Sequence, residues 1–105
     1  MTFVHEIREL LAATPADDPA LLLDRLDETL TTGYANALQL EAERWRIERR
    51  IGEVAAIVGT NGDGARIDEL AVLARSLREA NEEIAALRSL LATLRERRRA
   101  VLQAA

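Results

Sequence analysis

The chain has no cysteine and no lysine, and it is poor in aromatic, proline and glycine residues. Without cysteine there is no disulfide framework, no thiolate nucleophile and no thiolate-bound zinc. A lone histidine, His5, does not make an ordinary histidine-based metal site or catalytic triad. Only Phe3, Tyr34 and Trp45 are aromatic, and two prolines with five glycines supply too little turn chemistry for a many-stranded β fold. No run approaches the ~18 to 20 apolar residues that span a bilayer. The first residues, Met-Thr-Phe-Val-His-Glu, lack the basic and apolar regions of a secretory signal, so a cytoplasmic location is expected.

What the 105 residues do contain is leucine, alanine, glutamate and arginine, a composition that favours long helices or coiled coils. The chain is 49% hydrophobic and 30% charged, and its length suits one helical domain spanning residues 1–105. All fourteen basic residues are arginine, yet the net charge is -4, which speaks against a general nucleic-acid binder.

Two breaks divide the chain. At Thr14-Pro15-Ala16-Asp17-Asp18-Pro19, Asp18 is expected to cap a helix whose first position is Pro19, where a missing N–H costs nothing. At Gly59-Thr60-Asn61-Gly62-Asp63-Gly64, Gly59 suits the left-handed residue after a helix and Asp63 the next N-cap. The expected elements are helices at about 2–13, 19–58 and 65–103, with a turn at 59–64. The first carries Phe3, Val4, Ile7, Leu10 and Leu11 on one face and is too short to persist undocked. The other two match in length around one tight turn, as in an αα-hairpin.

The strongest pattern is a heptad frame. Leu23, Leu26, Leu30, Ala37, Leu40, Ile47, Ile51, Val54 and Val58 occupy a and d positions, interrupted only by Gly33 and Arg44. Leu70, Leu73, Leu77, Ala80, Ile84, Leu87, Leu91, Leu94 and Val101 do the same, interrupted by Arg98. Such a sustained frame predicts coiled-coil packing. Folding the chain at Gly62 sets residue i level with residue 124 minus i, and each a position then meets a d position. Gly33 falls opposite Leu91, Ala37 opposite Leu87 and Arg44 opposite Ala80, so small residues meet large ones. Arg44 and Arg98, polar at core positions, are expected to set the register. Thr31-Thr32-Gly33 weakens the second helix by about 1 to 2 kcal/mol without shifting the frame, so one continuous helix is expected.

Apolar residues remain outside the seam. Tyr34, Leu38 and Trp45 form an adjacent stripe, and Leu90 and Leu102 stand beside the seam of the last helix. A single seam seldom stabilises a chain of this size, so the stripe is expected to pack on the first helix or on a second copy of the chain, with a dimeric four-helix bundle as the simplest cover. It also offers anchors for a different protein.

Other clusters have simpler explanations. Arg44, Arg46, Arg49 and Arg50 are interleaved with Glu41, Glu43, Glu48 and Glu53 at ion-pair spacing. Arg95, Arg97, Arg98 and Arg99 lie level with Asp24, Asp27 and Glu28. Glu79, Glu82 and Glu83 resemble half of a magnesium-holding carboxylate set in all-α nucleotide hydrolases, with Arg75 and Arg78 placed to neutralise them. Asn61-Gly62-Asp63-Gly64 lacks the alternating ligands of a calcium loop. The stretch from Ala42-Glu43-Arg44 to Arg49-Arg50-Ile51-Gly52-Glu53-Val54 resembles the long first helix of all-α chorismate mutases. That family's helix supplies an arginine and a lysine to the substrate carboxylates, but Ala55 or Ala56 stands at the lysine position here. The size and hairpin are also similar to the WXG100 secretion proteins, whose Trp-x-Gly turn this chain lacks.

The expected architecture is therefore all-α, a short helix followed by a long antiparallel coiled-coil hairpin that self-associates. The expected role is a non-enzymatic interaction or scaffold protein with no catalytic, metal or cofactor residues, presenting Tyr34, Leu38 and Trp45 to a partner. A small helical chaperone or adaptor holding an amphipathic client segment is the alternative, and a small all-α enzyme ranks below both.

Overall fold

The computed structural model describes residues 2–12, 18–61 and 64–104, without the side chains of residues 2–4, 6 and 61. It is all-α, and no strand occurs among the described residues. Helix α1 (Thr2–Ala12) precedes two long helices, α2 (Pro19–Asn61) and α3 (Gly64–Ala104), which pack against each other as a hairpin.

Asp18 starts α2 as its chemistry dictates. Its carboxylate accepts the backbone N–H of Leu21 at 3.2 Å, and its carbonyl accepts that of Leu22 at 3.0 Å. The helix then runs unbroken through Thr31-Thr32-Gly33, where the Thr31 hydroxyl donates to the Asp27 carbonyl at 2.9 Å. The far end corrects an expectation. Gly59 does not end α2 in a left-handed conformation; the helix continues to Asn61, and no described residue has a positive φ. The Thr60 hydroxyl donates back to the carbonyls of Ala56 at 3.2 Å and Ile57 at 3.1 Å, inside the last turns of the helix. Gly62, the expected centre of the fold, and Asp63, the expected cap of α3, lie outside the described residues. So do the side chains of Phe3 and Val4 on α1.

The chain divides into two compact units, Met1–Ala37 with Ala86–Ala105 and Leu38–Ala85. The first contains α1 and the outer parts of both long helices. Ile7 and Leu10 of α1 are buried there, and a shallow depression bordered by Glu9, Leu10, Arg25, Glu28 and Thr29 marks where α1 lies along α2. An 11-residue helix is about 16 Å long and marginal alone, so docking is what holds it. Each fully buried leucine or isoleucine contributes about 1.5–3 kcal/mol. With three helices present, most of the seam of this unit is closed. Leu26, Leu30, Gly33, Ala37, Leu87, Leu91, Leu94 and Val101 are buried, whereas Leu23 and Arg98 of the same frame are partly exposed.

The second unit has only the inner parts of α2 and α3, and the same heptad frame behaves differently. Val54 and Ile84 are buried, but Leu40, Ile47, Ile51, Val58, Leu70, Leu73, Leu77 and Ala80 stay partly in water. Large apolar residues line both stretches; the first unit adds the small residues Gly33 and Ala37, which let its helices approach, and a third helix that covers them. Two helices bury one line of contact, and a further layer is needed to close the seam. Replacing Ile7 with alanine should therefore cost about 2–5 kcal/mol, the cost of a cavity in a closed core. Ile47→Ala should cost less than half as much, when both are measured by urea unfolding at low micromolar protein.

Candidate interaction surface

Helix α2 places Leu38 and Trp45 two turns apart on the outer side of the second unit, and both are largely solvent-exposed, at 67% and 58%. The Arg49 guanidinium lies 5.4 Å from the centre of the Trp45 ring, one helical turn away, in a cation–π contact that leaves most of the indole in water. The same seven-residue spacing, repeated twice more, brings Gly52 and Gly59 to this side. A side chain at either would meet nothing within 4 Å. On α3, Ile67 is 55% exposed, and Ala71, Ala74, Arg78 and Ala85 are also exposed. The heptad frame sets these α3 residues at b and e positions, the same flank as Leu38 and Trp45. A largely apolar face thus lies beside a half-open seam.

Tyr34, the third member of the predicted stripe, belongs to the first unit, where it is partly exposed. Leu90 in that unit is half-buried and Leu102 exposed.

The two core arginines escape the seam by reaching its edge. Arg44 is about one-third exposed; it donates to Asn81 Oδ1 at 3.4 Å and lies 3.6 Å from Glu48. Arg98 makes an ion pair with Asp27 across the helices of the first unit. Asn81 and Asp27 each lie within one residue of the level predicted for their arginine, so the contacts in both units agree with the expected register. A third bridge was not foreseen. Arg50 donates from Nε and Nη2 to Glu69 Oε1, at 2.8 and 2.6 Å, and Arg66 donates to the other Glu69 oxygen at 3.1 Å. Both Arg50 and Glu69 occupy g positions of the frame, the edge that antiparallel helices share, and that was the available signal. The hydrogen bond from Arg50 holds the Glu69 carboxyl below the usual carboxylate range against partial desolvation, with Arg66 adding to the effect. The same bond and the charge of Glu69 raise Arg50 further.

Local pairs account for much of the remaining arginine. Arg49 lies 3.5 Å from Glu53, Arg50 3.5 Å from Glu53 and Arg99 3.2 Å from Glu96. Arg95, Arg98, Arg99 and Leu102 line a shallow surface depression, where two of the three guanidiniums are already paired within the chain. Glu79, Glu82 and Glu83 are exposed on α3, and among the described residues no group of three or more histidine, aspartate or glutamate side chains gathers to hold a metal ion. His5 lies 3.0 Å from Glu9 on α1. No described helix is long and apolar enough to cross a membrane. Compared with protein-family models, curated proteins and solved structures, the chain matches none.

Two predictions rest on these bridges. Because the folded-state pKa of Glu69 is lowered, its contribution to stability is present at neutral pH and lost as the pH falls through that value. Glu69→Gln should be less stable than the native chain at ~pH 7, and the gap should narrow as the solution is acidified in paired denaturation curves. Arg44→Leu should raise the unfolding midpoint while broadening the distribution of associated species, since the polar group that penalises slipped registers is gone. A single sharp oligomeric state in sedimentation velocity would remove the register role from Arg44.

Proposed function

We propose that this chain is a non-enzymatic helical interaction protein, cytoplasmic, that self-associates as a dimer through the open side of its second unit. The observation that carries the proposal is the difference between two stretches of one heptad frame. Where α1 lies over the hairpin, the a and d residues of the frame other than Leu23 and Arg98 are buried. Where no third helix is present, equivalent leucines and isoleucines remain half-exposed, beside an exposed tryptophan and leucine. Burial of such a surface is the main favourable term in association, and aromatic anchors commonly dominate it.

A second copy of the hairpin supplies the missing layer and converts two helices into a four-helix bundle with its apolar positions turned inward. The mechanism is hydrophobic burial along the seam, with charged residues at its edges limiting the registers available. The Tyr34 side chain adds a separate exposed anchor on the first unit for a partner protein.

Light scattering behind a sizing column, across a roughly hundredfold concentration range, tests this directly. The expected result is a dimer mass at high concentration that falls toward the monomer on dilution. Trp45→Ala should weaken association about tenfold to a hundredfold, within the range for loss of a buried aromatic anchor. A monomer mass throughout would overturn self-association and leave the face to a client or adaptor partner.

A further inference from the structure

The reading of self-association leaves open which helices meet, and the open face of the second unit constrains the answer. This face contains one exposed line on α2 (Leu38, Trp45, Gly52) and one on α3 (Ala71, Arg78, Ala85). The inner part of α2 spans about 24 residues, or ~36 Å. With helices ~10 Å apart, a two-helix layer presents on the order of 700 Å² of face, close to the ~800 Å² per partner of a stable protein interface. A second copy of this chain therefore matches the face in extent.

Size alone permits two arrangements. If α2 lay antiparallel on the partner's α2, Trp45 would sit over the partner's Gly52, but the symmetry axis would then pass between Glu48 and Arg49. The two copies of Glu48 would stand beside each other, as would the two copies of Arg49, and like charges at close quarters disfavour association. If the axis instead ran parallel to the helices, α2 would lie along the partner's α3. That symmetry keeps every residue at its own height, so the register within one hairpin also sets the levels between copies. Leu38 then meets the partner's Ala85, and Gly52 meets the partner's Ala71, where the empty space at Gly52 admits close approach. Trp45 meets the partner's Arg78, whose guanidinium can rest on the exposed indole face and also reach Glu48. All neighbouring helices are then antiparallel, as their dipoles favour.

We propose that a second copy of this chain covers the Leu38–Trp45–Gly52 face with its α3, about a two-fold axis parallel to the helices, with Glu48 paired to the partner's Arg78. This rests on the self-association proposed above.

Because the chain contains no cysteine, introduced cysteines report contacts without background. Gly52→Cys and Ala71→Cys chains, mixed and mildly oxidised, should form a disulfide between the two variants far more readily than either forms with itself. A Gly52→Cys chain that cross-links instead with Trp45→Cys would show α2 on α2 and overturn the arrangement. So would the absence of any cross-link in a solution of dimer mass, and neither result would disturb self-association. A monomer mass at every concentration would remove both. Charge exchange gives an independent readout. Glu48→Arg and Arg78→Glu should each weaken the dimer by about fivefold to tenfold, and the double exchange should restore most of it. Helical content by circular dichroism confirms that each variant folds. Single exchanges without effect on association would overturn the pair.

Discussion

A layer of two helices has two faces and no interior, and most of what is distinctive about this chain follows from that constraint. Apolar side chains along the contact line of two helices can be covered from the neighbouring helix but not from above or below. Leucine and isoleucine at every a and d position therefore do not guarantee a closed core. They create a demand for a further layer.

The first unit meets that demand within the chain. Helix α1 is only 11 residues long, yet Ile7 and Leu10 are buried and most a and d side chains of the neighbouring long helices are withdrawn from water. The arrangement is mutually dependent, since α1 is too short to hold its shape alone and the seam would be open without it. The second unit has no such helix, and its leucines and isoleucines stay partly exposed along the seam. Polar devices are placed to suit: Arg44 and Arg98 extend to the edge and end on Asn81 and Asp27, so neither places an unpaired charge in the apolar line.

The heptad spacing made the helices and their register readable before any coordinates, because a period of 3.5 sustained over forty residues has few other structural solutions. The same spacing was silent about coverage. Leu26 and Leu40 share the d position, and the docking of α1, a long-range event, separates their environments. The end of α2 differs from the sequence pattern for a local reason. A glycine followed by threonine and asparagine resembles a helix stop, but glycine also adopts ordinary helical dihedrals, and α2 passes through Gly59 to Asn61 with no positive φ. Of the candidate surface, Leu38 and Trp45 were legible as apolar residues off the seam. Ile67 and the open space at Gly52 were not, since exposure depends on which flank of each helix remains uncovered. Tyr34 shared their spacing but falls in the other unit.

The last turns of α2 have a further consequence. From Gly52 to Thr60 the helix includes two glycines with open space around them and the β-branched residues Val54, Ile57, Val58 and Thr60. Each glycine weakens a helix interior by about 1 kcal/mol relative to alanine, and the β-branched residues lower it further. The backbone amides there depend on packing for their protection, and the packing is one layer thick. This end of the hairpin is thus the low-stability reserve of the second unit, the part whose amide hydrogens exchange first through local opening. Whatever covers the neighbouring face also slows that opening, which makes the tip of the hairpin a built-in gauge of how much of the protein is engaged.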